Sequence, residues 1–559
     1  MTNHHINRQN TFLTFLIGLI IFFGANLFSA ITMGVHFDET YYWLYAQHPA
    51  LGYFDHPPLV SWLIMASDLF FKGTLSIRFF TVLISSLSMV IIWKLVKPYG
   101  IKPLLFWSLI YSVILIHPYA FITTPDAPLF LFTALFFIVY KQFVNRPGIL
   151  NTFLLAIVTS LLFYSKYHSI LIVGFTFLSN LKILKTKHFW LYFGLIVLAM
   201  LPHLFWQIDH NFVSFRYHLF DSHNTVYNPM LTIEYIMLLL VLTGPLSGWL
   251  LLWFLFRKQS VGQFEKALRW TGIGMFGFFL VSTFIGDYEA HWTLAAMIPL
   301  IIIAFKWLVS DKKWQRLIYI SGTFSFVVLL ATRIVVITPL GQNIKALGAF
   351  RGWDKDVKEL SEFTNNNPII FQDCWNKAAR FGWYTRNKEV AAINSGLYRS
   401  NQFDLWNFDR KLEGQTVYVA TTDSMQFLYS EVLKTTKTTW YLKKVENYQS
   451  YYNLNFEIIQ NEETTNNSLY SILIKNPYPF AIELSQQNEA IFQLYSRQGK
   501  WKLLTEYPID CLKIEANSSE KIVLNINFKN TLPNKCYLLL KVKGLKPLPT
   551  RVLIKINCP

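Results

Sequence analysis

Charge is scarce in this chain. Asp, Glu, Lys and Arg make up only 15% of its 559 residues, against about 25% in soluble globular proteins. That shortage excludes a water-facing surface over most of its length. Cysteine is nearly missing too: there are four, and none precedes Cys374. No P-loop occurs, no Gly-x-Gly-x-x-Gly fingerprint opens a soluble βαβ unit, and no His-Glu-x-x-His motif is present. Nucleotide hydrolysis, dinucleotide chemistry and the common zinc-hydrolase mechanism lose their usual signatures. After Thr338 there is no apolar run long enough to cross a bilayer.

Before Thr338 such runs dominate. Hydrophobic residues are 53% of the chain and aromatics 17%, gathered into stretches near the roughly 17–25 residues that span a membrane as helix. The expected spans are 12–33, 76–96, 103–120, 127–144, 150–165, 168–181, 189–206, 232–256, 268–286, 293–309 and 317–338. The first lacks a small-residue cleavage motif and is longer than a signal-peptide core, so it reads as a retained helix. The formal charge of +17 suggests nucleic acid, but its distribution is a topology signal. Lys94, Lys97, Lys182, Lys185, Lys187, Arg257, Lys266, Arg269, Lys312, Lys313 and Arg316 all fall on one side. With the N-terminus cytoplasmic, that side is inside, and no nucleic-acid partner is expected. The outer loops carry Asp38, Glu39, Asp55, Asp126, Asp209, Asp287 and Glu289, with most of the histidines. An odd number of spans then puts the tail outside the cytoplasmic (inner) membrane.

The tail divides by pattern. Residues 341–445 mix a helical stretch ("DKDVKELSEFTNN") with short apolar strands ("PIIFQD", "TVYVATT"), as in a small α/β domain. Residues 446–559 repeat strand signals such as "LYSILIK", "KIVLNINF" and "KCYLLLKVK" between polar turns, as in a β-sandwich. The expected domains are therefore 1–340, 341–445 and 446–559. An oxidising exterior permits disulfides among Cys374, Cys511, Cys536 and Cys558 in three pairings; four free thiols is the other reading.

Ionisable residues concentrate in four outer loops. "VHFDETYYWLYAQHPALGYFDHPPLVSWL", from Val35 to Leu63, carries Asp38, Glu39 and Asp55 among tyrosines, and two prolines stiffen the chain after Asp55 and His56. A mere interfacial anchor has no use for that stiffening. "HPYAFITTPDAPLFLF" places Asp126 where a span begins, a position a helix dipole alone would favour. "LPHLFWQIDHNFVSFRYHLFDSH" adds His203, Asp209, His210, Arg216, His218 and His223. "GDYEAHWTLAAMIPL" adds Asp287, Glu289, His291 and Trp292. Lys166, in "YSKYHS", is a lone outer cation for which snorkelling is the plain explanation. Convergence on one membrane face is the stronger signal, because ionisable groups at membrane depth are costly. Outside the cell there is no nucleotide-activated donor, so an enzyme there needs one carried by the membrane. A carboxylate base and a cation for a phosphate leaving group suit transfer from a lipid phosphate.

These residues carry a resemblance. "FDETYYWLYAQHPALGYFDHPPLVSWL", followed by "TPDAPLFLF", "YSKYHSILI", "PHLFWQIDHNFVSFRYH" and "EAHWTLAAMIPL", resembles the bacterial protein-mannosyltransferase-like and aminoarabinose-transferase-like families, GT-C glycosyltransferases of families 39 and 83. It covers roughly residues 12–340, with weaker likeness in "RGWDKDVKEL" and "YRSNQFDLW". The resemblance implies a polytopic α-helical GT-C membrane protein of about 11–13 transmembrane helices, with an extracytoplasmic α/β plus β-sandwich region. It implies inverting transfer of a sugar from a polyprenyl-phosphate donor to a lipid, protein or glycan acceptor on the outer face. Asp38 then matches the first-loop base, Glu39 its companion and Asp126 the second-loop acid. Asp55 matches an acid that helps hold a divalent metal ion, with His291 as a metal or phosphate ligand. The position after Asp55 is commonly a phosphate-binding Lys; here it is His56, which shifts phosphate binding toward Lys166 and Arg216. The competing readings are a glycan polymerase or ligase using a lipid diphosphate, and a transporter or flippase. Transporters favour internal repeats and midplane charges, and neither is evident here.

Overall fold

The computed structural model describes residues 2–221, 227–257, 262–286, 288–344, 347–423, 430–463, 467–498, 500–527, 535–542, 547–550 and 552–555. Of the residues singled out above, His223, Asp287 and Cys558 lie outside them. The chain forms two compact units, Met1–Arg351 and Gly352–Pro559.

The first unit is helical. Its helices are α1 (Thr2–Thr32), α2 (Phe37–Gln47), α3 (Leu59–Phe70), α4 (Leu75–Val96), α5 (Pro103–Ser112), α6 (Ile116–Tyr119), α7 (Asp126–Asn145) and α8 (Ile149–Ser165). They continue as α9 (Ser169–Leu178), α10 (Lys187–Asp209), α11 (Val213–Arg216), α12 (Pro229–Thr243), α13 (Gly248–Arg257), α14 (Gln263–Ser282), α15 (Met297–Leu308) and α16 (Lys312–Ile337). Every apolar run expected to span coincides with one or two of these helices. Among the described residues, six are long and apolar enough to cross alone, and the bent pair α12/α13 makes up to seven. Several shorter apolar helices fill the bundle.

Burial sorts the spans into two classes. Only 17% of the apolar window of α1, 17% of α10 and 28% of α16 is buried, against 67% for α4 and α7 and 78% for Ala290–Leu308. The first three are peripheral and show their Leu, Ile and Phe side chains to lipid, while α4, α7 and α15 form the centre.

Two expected spans are interrupted. The run 103–120 stops as helix at Ser112 and resumes at Ile116; the run 232–256 bends by 99° between α12 and α13. The second break begins at Gly244, whose φ of +150° suits a residue with no Cβ. A Cβ there would sit 2.6 Å from Ser247 Oγ and 3.2 Å from the Ser112 carbonyl oxygen. The breaks meet: Leu115 N–H donates to the Leu242 carbonyl at 3.3 Å. Buried backbone groups in a membrane need such partners.

The second unit begins with α17 (Trp353–Phe363), followed by β1 (Ile369–Gln372), α18 (Trp375–Thr385), β2 (Ala391–Ile393), α19 (Phe403–Trp406), β3 (Val417–Thr421), β4 (Glu431–Lys434) and β5 (Thr439–Val445). They form one mixed sheet of order β2-β1-β3-β5-β4, parallel across β2-β1-β3 and antiparallel beyond. Nine further strands follow: β6 (Asn455–Glu463), β7 (Asn467–Lys475), β8 (Ile482–Ser485), β9 (Ile491–Gln498), β10 (Lys500–Pro508), β11 (Cys511–Ile514), β12 (Ser519–Asn527), β13 (Lys535–Lys541) and β14 (Val552–Lys555). They pair as β12-β7-β6, β11-β8 and β10-β9-β13-β14. Their shared core takes alternate residues, Ile472 and Ile474, Phe492 and Leu494, Leu538 and Leu540, as strand pleating requires. Among the described cysteines, Cys374, Cys511 and Cys536, no two are joined in a disulfide.

Candidate active site

The start of α2 organises the site. His36 caps the helix, its backbone N–H donating to Glu39 Oε2 at 2.8 Å while Asp38 N–H approaches His36 Nδ1 at 3.5 Å. This capping box fixes Glu39 at the third helical position. Its carboxylate is fully buried and meets Arg78 of α4, equally buried, at 2.7 Å (Nε to Oε1) and 2.5 Å (Nη2 to Oε2). Thr123 N–H donates to Oε1 at 3.0 Å. The remaining Arg78 donors reach the carbonyls of Ala30, Met33 and Gly34 at 3.3, 2.7 and 2.8 Å. One ion pair thus ties the end of α1, the start of α2, α4 and the loop before α7. All the bonds of Glu39 are inward and structural in geometry.

Asp38 is different. Its side chain is 32% exposed, 3.3 Å from His36 Nδ1, and its charge reaches Tyr42 and His291. Adjacent residues do not share a helix face, so Glu39 can be locked while Asp38 opens outward.

Asp55 is buried. Tyr41 and Tyr45, one turn apart on α2 and hence on one face, donate to its Oδ2 at 2.8 and 3.1 Å. The Asp55 carbonyl lies 2.9 Å from His218 Nε2. The aromatics of the opening loop are therefore ligands of a carboxylate more than an interfacial belt. Gly52 lets this loop approach α10: a Cβ there would stand 2.4 Å from the Trp206 ring and 3.0 Å from that of His203.

The third acid has a cation. Asp126, first residue of α7, accepts from Lys166 Nζ at 2.9 and 3.0 Å through its two oxygens. His291 Nε2 stands 3.7 Å from Asp126 Oδ2. Lys166 is 3% exposed, so it does not snorkel; the explanation available from its sequence surroundings is corrected by a partner forty positions away.

His56 follows Asp55 with its ring 5.7 Å from Tyr42 and 6.5 Å from His218. Among the described residues its buried Nδ1 has no hydrogen-bond partner. Burial, then the charge of Lys166, hold this imidazole well below its ordinary pKa, and His218, His168 and His291 act the same way. The structure therefore gathers Asp126, Lys166 and His291 by direct contact, with His56 and Asp55 joined through His218. Arg216 is exposed on α11 and makes none of these contacts. Sequence reasoning did not single out His168, whose Nδ1 is also buried without a partner among the described residues; its place two residues after Lys166 was the available signal. Arg78, near the start of α4, was not among the candidates either.

Asp55 and His291 do not fit together as a metal site. Among the described residues no group of three or more His, Cys, Asp or Glu side chains is placed to hold an ion, and Asp55 Oδ2 is committed to two tyrosines. Beside Asp126, the residues Ser85, Met89, Ile116, Tyr119, Ala127 and Leu294 line a narrow, mostly apolar recess.

Comparison with known proteins follows the same residues. A family model described as dolichyl-phosphate-mannose-protein mannosyltransferase matches residues 55–206, which contain Asp55, His56, Asp126 and Lys166. Lipid A galacturonosyltransferase RgtD of Rhizobium johnstonii is 21% identical over 339 residues, 58% of this chain and 71% of that protein. The crystal structure of ArnT from Cupriavidus metallidurans in the apo state superposes with a TM-score of 0.57 at 10% identity, over 78% of this chain and 98% of that one. The same protein bound to undecaprenyl phosphate gives 0.53 at 12% identity, over 77% and 97%. By fold and by matched sequence, the chain is a multi-pass membrane protein with the ArnT-like GT-C fold, similar to the glycosyltransferases of the protein-mannosyltransferase and ArnT type.

Proposed function

We propose that this protein is an inverting glycosyltransferase that moves a sugar from a polyprenyl-phosphate donor to a lipid acceptor. The observation that carries the reading is the contact of buried Asp126 and Lys166 with half-buried His291, near a His56 Nδ1 that has no partner among the described residues: together they offer N–H groups and a cation to an incoming phosphate. The acceptor hydroxyl attacks the anomeric carbon, its proton passes to Asp38, and the bond from that carbon to the phosphate oxygen breaks. The electron pair leaves on the phosphate, where Lys166 and the imidazoles stabilise it. Support for a lipid acceptor and a polyprenyl carrier comes from the relatives, one named for lipid A and one crystallised with undecaprenyl phosphate.

The proposal places the N-terminus in the cytoplasm and the second unit in the periplasm. A reporter fused after Thr338 should be active only outside the cytoplasm; activity inside would overturn the orientation. No step is routed through a metal.

One observation speaks for transport, the bend between α12 and α13. Its residues, Gly244 to Ser247, include no ionisable group, whereas coupling sites in carriers collect them. Mass spectrometry of glycolipids from cells with and without the gene tests the enzyme directly. Loss of one sugar increment from a lipid supports the proposal. An unchanged glycolipid profile with altered solute uptake would replace it.

A further inference from the structure

A second buried polar cluster lies between the peripheral helices α1 and α16. Arg333 of α16 is 8% exposed, and Asn26 of α1 is 1% exposed. Arg333 Nη2 donates to Asn26 Oδ1 at 2.6 Å, while Asn26 Nδ2 is spent on the Phe22 carbonyl at 2.9 Å. Arg333 Nη1 is buried with no partner among the described residues, and so is the hydroxyl of Tyr111, which lies within electrostatic reach of Arg333. His117 is also within reach, but its Nε2 sits 3.2 Å from the Ile110 carbonyl.

The contrast with Arg78 is informative. Both guanidinium groups lie 5.7 Å from the ring of Phe121. Arg78 has Glu39 and three backbone carbonyls; Arg333 has one amide oxygen. Among the described residues no carboxylate pairs with Arg333. A cation buried in this way is expensive in a membrane unless an anion compensates it, and the cluster has donors left over but no acceptor for them. What it lacks is a negative oxygen.

Position narrows the source. Arg333 sits about 6 Å of helix rise before the end of α16, and Asn26 about 9 Å before the end of α1. That depth is near the boundary between hydrocarbon and headgroups. Both helices are peripheral, so lipid reaches the seam between them without passing through the core. Arginine suits the occupant because its planar fork pairs with two phosphate oxygens.

We propose that Arg333, held in place by Asn26, and Tyr111 form a second anion site, separate from the transfer centre, that takes the phosphate of an anionic membrane lipid. Native mass spectrometry of the detergent-purified full chain, titrated with phosphatidylglycerol, phosphatidylcholine or inorganic phosphate, tests this. The wild type should retain phosphatidylglycerol in preference to phosphatidylcholine. Arg333→Gln should weaken that retention about tenfold, the scale of one lost charge-assisted contact, and Arg333→Lys should recover part of it. If Arg333→Gln fails to fold, Asn26→Ala and Tyr111→Phe carry the test and should each reduce retention. Equal retention by the wild type and these variants would overturn the proposal. So would inorganic phosphate that displaces the lipid at millimolar concentration, since the site would then be reading free phosphate. Sugar transfer stays outside this readout, so the outcome is independent of the transfer reaction.

Discussion

Removing Arg78 should damage this protein more than removing any of the acids. Arg78→Met keeps an unbranched apolar stem and deletes the charge and the donors. Glu39 then remains fully buried with no cation, and the carbonyls of Ala30, Met33 and Gly34 lose their donors. Breaking a buried pair from one side costs about 3–5 kcal/mol, because the surviving charge is stranded. Glu39→Gln should cost less: its amide nitrogen meets donors where an oxygen accepted, but its amide oxygen still accepts from Arg78, which keeps the carbonyls of Ala30, Met33 and Gly34. The informative variant is the double one. With both charges gone, Arg78→Met/Glu39→Gln should be more stable than Arg78→Met alone, by roughly 1–3 kcal/mol of coupling. Arg78→Lys should rescue only in part, because an ammonium cannot reproduce the two parallel bonds. Unfolding by SDS titration of the purified chain, followed by tryptophan fluorescence, reads all four variants. A double variant no more stable than Arg78→Met would refute the stranded-charge reasoning and reduce Arg78 to a packing residue.

Other perturbations separate chemistry from architecture. Asp38→Asn keeps the shape and removes the base, so turnover should fall by about two to four orders of magnitude with donor binding near normal; near wild-type transfer by the purified variant would move the role to Asp126. Gly52→Ala forces a methyl group toward Trp206 and His203 and should cost about 1–3 kcal/mol as overpacking, visible as a lowered unfolding midpoint. In the second unit, burial raises the Asp404 carboxyl to about 6, against the hydrogen bonds from Tyr452, Asn401 and Asn394. A raised carboxyl binds its proton more tightly when folded, so its contribution is full below the unfolded value of 3.8 and is lost as pH rises through about 6. Protection against hydrogen exchange around β2 and α19, taken relative to the intrinsic rate at each pH, should therefore be greater at pH 4 than at pH 7, with a difference of up to about 3 kcal/mol. Asp404→Asn should flatten that dependence, and an unchanged pH profile would count against it.

Much of the membrane part was legible because run length and apolarity set where helices cross. The expected spans 76–96 and 127–144 lie within α4 and α7, whose ends carry the charges that mark them. The breaks in 103–120 and 232–256 were not legible. Their composition is that of any span, and the hydrogen bond joining them depends on two distant segments meeting. The acids of the opening loop could be nominated from their crowding, but their division of labour could not. Asp38 and Glu39 are neighbours in sequence, and only the positions of Arg78 and Thr123 decide that one is locked and the other open. Lys166 makes the same point: its local surroundings allow a solvated end, while Asp126 holds it inside. Histidines were harder still, since a buried imidazole and a surface one read alike.

The meeting of the two helix breaks has a consequence for how the chain is made. The Leu115 N–H has its acceptor, the Leu242 carbonyl, on a helix that leaves the ribosome much later. Until α12 arrives, the turn between α5 and α6 carries an unsatisfied polar group in a setting that tolerates few of them. Water, a translocation partner or a temporary helical extension must shelter it in the meantime. Insertion of the spans before α12 is thus provisional, and the later part of the bundle completes them. A chain truncated after α10 should be an insertion intermediate prone to degradation, even though it contains Asp38, Asp126 and Lys166.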